Sequence, residues 1–334
     1  MTEPLLKARG LTKHFKIGGG VSRRNLHAVD SVDLDIHRGE IVAVVGESGS
    51  GKSTVARLLA GVYRPTAGEI HYEGKPVARL RNRRDLLTYR GDVPMVFQDP
   101  FSSLSPAYPV SHGILRALKL HREDLKGPAA RRAEAIRVVE AVGLTPGDKI
   151  LARHPHELSG GQRQRIGFAQ ALACRPQLIL ADEPVSMLDV SLRIGLLNVM
   201  AQVRDDEGVS LLYITHDIAG ARYLADRIVI MYGGRVVESG PTETVLAAPR
   251  HPYTRLLLSA VPDPRAPLDV GSETGLGEPP RMIDPPPGCR FRPRCPLAID
   301  RCAHVTPLMR DLGLGQAAAC HVAVAASTRT GAER

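Results

Sequence analysis

Gly46-Glu47-Ser48-Gly49-Ser50-Gly51-Lys52-Ser53 is the stretch from which the rest of this chain is read. It fits G-x-x-x-x-G-K-[ST], a loop that cradles phosphates. An apolar, β-branched run, Ile41-Val42-Ala43-Val44-Val45, precedes it, and Thr54-Val55-Ala56-Arg57-Leu58-Leu59-Ala60 follows with helical character. That strand–loop–helix context is what the motif requires. Glycines let the backbone turn tightly and aim its N–H groups inward, and those donors, with the positive end of the next helix, bind phosphate oxygens. Gly46, Ser48, Gly49, Ser50, Gly51, Lys52, Ser53 and Thr54 are therefore candidates to line a nucleoside triphosphate. Lys52 is expected to reach the β- and γ-phosphates, and the Ser53 hydroxyl to hold Mg²⁺.

The chain of 334 residues is long enough for one large domain and something smaller. Hydrophobic residues make up 43% and charged residues 24%, ordinary for a soluble globular protein. With no Trp and five Phe, the core must be built from Val, Leu, Ile and Ala. No apolar run approaches the ~20 residues that span a bilayer. Met1-Thr2-Glu3-Pro4 lacks a secretion pattern, so export is not expected. The net charge of +9 is uneven, with eight Arg against four acidic residues in 281–334. No nucleic-acid motif accompanies that excess, so no nucleic-acid partner is expected.

Short alternating runs over 5–45 read as β-strands, with Gly18-Gly19-Gly20 as a turn. Two more strand-like runs fall in 69–97. Helical spacing then takes over to residue 175, as a helical insert beginning near residue 100. Gln177–Ala181 and Ser210–Ile214 are continuous apolar runs that suit buried parallel strands, with a helix over Ser191–Asp205 between them. Arg227–Met231 and Arg235–Glu238 read as a hairpin, and the Pro- and Gly-rich stretch 262–288 as a linker. The fold class is thus α/β, with a parallel sheet at its core.

Leu178-Ile179-Leu180-Ala181-Asp182-Glu183 is a buried strand ending in two carboxylates, where an open α/β sheet places its ligand. Asp182 is suited to support Mg²⁺, and Glu183 to act as general base on the attacking water. In Leu158-Ser159-Gly160-Gly161-Gln162, Ser159 is a natural helix N-cap, and the N–H groups beyond it could take an anion.

In order, these motifs resemble the ATP-binding subunit of an ABC transporter over roughly residues 5–255. Gly46–Ser53 is similar to its Walker A loop, and Val96-Phe97-Gln98-Asp99-Pro100 to its Q-loop. Leu158–Gln162 is similar to its signature and Asp182-Glu183 to the end of Walker B. Ser186-Met187-Leu188-Asp189 matches the D-loop, and His216 the switch histidine. The resemblance implies an ABC-type P-loop ATPase fold: a parallel-sheet core, an antiparallel β subdomain and a helical insert over about 100–175. It implies an ATPase domain over 1–258 and a small Cys-containing extension over 259–334. It also implies that Phe15 stacks on adenine, that Gln98 touches Mg²⁺ and the attacking water, and that His216 contacts the γ-phosphate. Ser159, Gly160, Gly161 and Gln162 would complete the ATP held by an opposing subunit, and Asp189 would couple the two sites. Every catalytic position is filled, so an active ATPase is expected. Met187 and Ser105 stand where this family more often carries Ala and Asn.

Phe97-Gln98-Asp99-Pro100-Phe101-Ser102-Ser103-Leu104, Asp182-Glu183-Pro184-Val185-Ser186, His251-Pro252-Tyr253-Thr254 and the tail Gly288–Pro296 resemble the oligopeptide/dipeptide importer branch. Peptide is the preferred cargo, with β-oligosaccharide and nickel as alternatives. A soluble ABC ATPase of DNA repair or translation is the rival class. The resemblance implies a second ATPase subunit, preferably a different chain. It further implies two transmembrane permeases, an extracytoplasmic solute-binding protein and a peripheral place on the cytoplasmic face of the membrane. Cys289, Cys295, Cys302 and Cys320 are separated by five, six and seventeen residues. Four thiolates could hold a [4Fe–4S] cluster, with Zn²⁺ as the alternative, and the lack of Cys-x₂-Cys pairs favours iron–sulfur. Arg290, Arg292, Arg294 and Arg301 are expected to offset the cluster's negative charge.

Overall fold

The computed structural model describes residues 3–18, 24–80, 82–99, 104–259 and 281–323. Two sheets carry the architecture. The smaller is antiparallel, ordered β2-β1-β4-β5, from β1 (Leu6–Ile17), β2 (Arg24–Ile36), β4 (Ala67–Tyr72) and β5 (Lys75–Pro76). The larger is built around β3 (Ile41–Val45), which pairs in parallel with β8 (Ser210–Thr215) on one side and β9 (Arg227–Tyr232) on the other. β7 (Leu178–Asp182) and β6 (Met95–Val96) continue the parallel set, and β10 (Arg235–Pro241) runs antiparallel to β9.

Every residue of β3, β7 and β8 is buried. Such unbroken apolar runs belong to strands covered on both faces. Alternation along β3 assigns the two layers. Val42 and Val44 pack with the small sheet and with Val55, Leu58 and Leu59 of α1 (Lys52–Leu59), whereas Ile41, Ala43 and Val45 face the other core. Helix α1 is thereby sandwiched between the sheets, which fixes the loop that feeds it.

Helix α2 (Arg83–Asp92) precedes β6, capped by Asn82, whose side chain accepts from the Asp85 N–H at 2.7 Å. The helical insert follows as α3 (Ser111–His121), α4 (Gly127–Ala141), α5 (Gly147–Leu151) and α6 (Gly160–Leu172). Ile114, Leu118, Val138, Val139, Ile166 and Phe168 join it to the main core. Helix α7 (Val190–Glu207) links β7 to β8, α8 (Ile218–Leu224) links β8 to β9, and α9 (Thr242–Ala247) and α10 (Pro252–Ser259) follow β10. Among the described residues no helix is long and apolar enough to cross a membrane.

The described part of the tail packs against the ATPase body. Residues 262–280 of the expected linker, like Gly19, Gly20 and Pro100–Ser103 of the motifs above, lie outside the described residues. Over 281–288 the chain packs on the small sheet: the His27 N–H donates to Met282 O at 2.8 Å and the Asp284 N–H to Asn25 O at 2.9 Å. Beyond α11 (Arg301–His304), strands β11 (Arg310–Asp311) and β12 (Ala317–Ala318) extend the large sheet, with Ala318 opposite Glu238 of β10. Phe291 is only 1% exposed and sits in the main core. The described part of the extension shares the core of the ATPase body through Met282, Phe291, Cys289 and Cys295.

Candidate functional site

The loop Gly46–Ser53 runs from the end of β3 into α1 at the carboxyl edge of the parallel strands. Gly46 and Gly51 are required there. A Cβ on Gly46 would meet Met231 O at 2.2 Å, and one on Gly51, whose φ is 104°, would meet Ala28 O at 2.3 Å. Lys52 is 4% exposed, and its ammonium donates to Gly46 O at 2.7 Å and Glu47 O at 3.0 Å. Burial lowers its pKa, opposed by Glu183, Asp182 and Glu47. A buried ammonium held by two loop carbonyls is poised to exchange them for phosphate oxygens.

The sequence-predicted carboxylates arrive where expected. The Ser53 hydroxyl donates to Asp182 Oδ1 at 2.7 Å, across 129 residues of chain. Burial raises the Asp182 carboxyl above its ordinary range, partly offset by the Ser53 hydrogen bond. A hydroxyl and a carboxylate in contact supply oxygen donors that fit Mg²⁺. Glu183 follows with φ 46°, a left-handed backbone unusual for a side-chain-bearing residue. Strain of this kind concentrates at functional sites. Its N–H donates to Ile214 O at 2.9 Å, which ties the turn to β8.

Around the Glu183 carboxylate three of the expected residues converge. Lys52 Nζ lies 3.9 Å from Oε1, His216 Nδ1 3.3 Å from Oε2, and Gln98 Nε2 donates to Oε2 at 3.4 Å. Gln98 also donates to Ser186 Oγ at 3.3 Å, and its own carbonyl accepts from Gln164 Nε2 at 3.0 Å. Gln164, 2% exposed on α6, thus wires the Q-loop to the helical insert and was not singled out from sequence. Its signal was one polar residue in the apolar face of that helix.

The signature begins α6. Ser159 accepts from the Gln162 N–H at 3.2 Å and Gln162 Oε1 accepts from the Ser159 N–H at 3.0 Å, a reciprocal capping box. A Cβ on Gly161 would press Leu192 at 3.3 Å. Among the described residues Ser159, Gly160, Gly161 and Gln162 make no hydrogen bond to the phosphate loop of their own chain. Asp189 caps α7 through the Leu192 N–H at 2.9 Å. Phe15 is half-buried, edge-on to Tyr63 at 5.5 Å, with Lys13 Nζ over its ring at 5.2 Å. It is thus part of a small aromatic–cation cluster and not a lone ring.

The tail cysteines carry no disulfide, and no three of their sulfur atoms come within 4.8 Å of one another. Tetrahedral Zn²⁺ with bonds of ~2.3 Å needs thiolates about 3.8 Å apart, so the arrangement does not fit zinc. Burial pushes the Cys289 thiol up to about 11, with Cys302 and Cys320 adding to the effect. Nor do Arg290 and Arg294 serve as counter-charges to these thiols. Arg290 pairs with Asp30, and Arg294 with Glu47 of the phosphate loop.

The family model described as "ABC transporter" matches residues 29–186, and that described as "Oligopeptide/dipeptide transporter, C-terminal region" matches residues 237–302. A protein named as a probable peptide ABC transporter ATP-binding protein of Sinorhizobium fredii is 43% identical, over 96% of this chain and 91% of its own length. The oligopeptide transport ATP-binding protein OppF of Escherichia coli is 40% identical, over 91% of this chain and 92% of its own. Among solved structures, the ATP-binding cassette MJ0796, a dimer in a post-hydrolysis state bound to ADP and Pi, superposes with a TM-score of 0.63. It is 28% identical and covers 71% of this chain and 98% of its own. A second, cbiO1 of Clostridium perfringens, gives a TM-score of 0.62 at 26% identity, with 74% and 92% covered. With the phosphate loop, the Ser53–Asp182 contact and the Glu183 cluster in register, the chain belongs to the ATP-binding subunits of ABC transporters, in the oligopeptide/dipeptide branch.

Proposed function

We propose that the chain hydrolyses ATP to power import of oligopeptides or dipeptides through a membrane ABC transporter. The observation that carries this reading is the convergence of Lys52, Gln98 and His216 on Glu183, beside the Ser53–Asp182 contact. In that arrangement the loop N–H groups and Lys52 hold the phosphates. Ser53 and Asp182, with Gln98, would hold Mg²⁺, which neutralises charge on the β- and γ-phosphates when bound. Glu183 takes the proton of the attacking water, while His216 and Gln98 orient it towards the γ-phosphorus. The rest of catalysis is positioning and charge neutralisation.

A second ATPase subunit is part of the proposal, preferably a different chain. Among the described residues Ser159 makes no hydrogen bond to its own phosphate loop, and Met187, Val190 and Ile194 beside Asp189 are 63%, 70% and 51% exposed. Exposed apolar residues grouped this way mark an interaction surface. Two permeases would dock at the groove lined by Phe97, Gln164, Gly167 and Gln170, next to the Q-loop. A peripheral place on the cytoplasmic face of the membrane follows from those partners. We take the ATPase domain as 1–258 and the extension as 259–334. A [4Fe–4S] cluster on Cys289, Cys295, Cys302 and Cys320 is also proposed, supported by four unbridged thiols in one short segment. Iron and acid-labile sulfide assays on anaerobically purified protein test it, and a colourless, iron-free protein sinks it.

Affinity purification of the tagged chain from its native membranes tests the function. Recovery with two multi-span permeases and peptide-stimulated ATPase activity in the reconstituted complex is expected. Recovery with ribosomes or DNA alone would overturn it.

A further inference from the structure

The C-terminal extension reaches the phosphate loop directly. The guanidinium of Arg294 makes two parallel hydrogen bonds to Glu47, Nη1 to Oε2 at 2.7 Å and Nη2 to Oε1 at 2.9 Å. This fork is 10% exposed and lies over the ring of Tyr232 at 5.8 Å. Tyr232 in turn packs against Tyr253 at 4.7 Å and Phe291 at 5.2 Å. Tyr253 then takes the other end of the same residue: its hydroxyl accepts the Glu47 N–H at 2.9 Å. Glu47 is therefore gripped at both backbone and carboxylate, next to a glycine that has no room for a side chain.

Arg290 acts one step further along the loop. It donates to Gly233 O and pairs with Asp30. The neighbouring Gly234 N–H donates to Ser50 O at 2.9 Å, and Gly234 O accepts from the Asp30 N–H at 2.9 Å. The turn on which the middle of the loop rests is thus pinned by the tail. Charge adds to position. Glu47 places a carboxylate in the loop that must receive a triphosphate, and an unpaired carboxylate there repels it. Bidentate pairing with Arg294 neutralises that charge and fixes the peptide whose carbonyl Lys52 holds.

We infer that the C-terminal extension is a positioning element of the nucleotide site, with Arg294 and Arg290 setting phosphate-loop geometry so that ATP affinity requires the docked extension. This rests on the reading that Gly46–Ser53 holds the ATP phosphates. Arg294 touches no substrate atom and acts through Glu47.

The test titrates the full-length protein with a fluorescent ATP analogue in the presence of Mg²⁺. Arg294→Gln should weaken binding about tenfold, the loss of one charge-assisted pair with its partner left charged. Arg294→Lys, which keeps the charge without the fork, should lose about threefold and serves if Arg294→Gln does not fold. Glu47→Gln should lose less than Arg294→Gln, and the double variant should bind as Glu47→Gln does. In steady-state ATPase assays KM should rise while kcat holds. Wild-type affinity in both Arg294 variants, or a double variant as weak as the sum of the singles, would overturn the inference. So would lowered melting temperatures with unchanged affinity. Lys52→Ala separates the two readings: if it too binds like wild type, the loop itself is not the phosphate site.

Discussion

Replacing Gly46 with alanine is the sharpest structural perturbation of the site. The added Cβ would stand 2.2 Å from Met231 O and 2.9 Å from Ser50 Oγ. The serine can rotate, but the Met231 carbonyl belongs to the β9 backbone inside the parallel sheet and cannot. A carbon–oxygen contact of about 3.2 Å is the closest tolerated, so the loop must retreat by about 1 Å, a displacement that costs on the order of 100-fold in turnover. Gly39→Ala is the control: its φ of 69° makes it strained, but nothing lies within 4 Å of the new Cβ. Its cost is roughly 1 kcal/mol of stability with nucleotide binding intact. Steady-state ATPase kinetics and melting curves on both variants read the two effects apart. A Gly46→Ala protein with wild-type kcat/KM would refute the claim that the Met231 carbonyl fixes the loop.

Three further outcomes follow from buried groups near the site. Burial holds the His251 imidazole down at about 4, so the folded protein keeps it neutral. Its folded value lies below the unfolded one, so its stability contribution is complete above pH 6.5 and is lost as pH falls towards 4, by roughly 3 kcal/mol. Denaturant melts across that window should show the slope, and His251→Asn should flatten it; an equal slope in both proteins would remove His251 as the cause. Asp182 has a raised carboxyl value, so a proton competes with Mg²⁺ at a higher pH than for an ordinary aspartate. Affinity for Mg·ATP should fall by up to about tenfold per pH unit below that point, and an affinity flat down to the ordinary carboxylate range contradicts the shift. Glu238, fully buried, accepts from the Arg250 and His251 N–H groups at 2.7 and 3.0 Å and from Gln316 of the tail at 2.7 Å. Glu238→Ala strands those donors and should cost roughly 3 kcal/mol in denaturant melts, and a loss under about 1 kcal/mol would show that the tail is not anchored there.

Local chemistry was legible and long-range pairing was not. The phosphate loop declared itself because its glycines, its lysine and its flanking strand and helix are contiguous. Ser159 could be read as an N-cap, and Asp182 and Glu183 as strand-end acids, because each depends on neighbours a few residues away. Their convergence with Gln98 and His216 was reachable through the resemblance, since side chains 85 residues apart carry no mutual sequence signal. Helix α2 escaped notice because Arg83–Asp92 buries only Tyr89 and Gly91, too few apolar positions to set a period. The partners of the tail arginines were the least legible. Its arginines sit among the cysteines and suggested counter-charges for a metal cluster, yet Arg294 finds Glu47 across 247 residues and Arg290 finds Asp30 across 260. Strands β11 and β12, two residues each, are likewise too short to show a pattern and exist because β10 offers them an edge.

Glu183→Gln tests the central claim most directly. The amide keeps the side chain's size and its contacts with His216 and Gln98 but cannot take a proton from water. Measured side by side, ATP binding and single-turnover hydrolysis should diverge. The variant should bind Mg·ATP as tightly as wild type, lose hydrolysis by a factor of 10² or more, and accumulate as an ATP-bound closed dimer in sizing experiments with its partner subunit. Hydrolysis at the wild-type rate would remove Glu183 as the base and with it the assignment of this cluster as the catalytic centre.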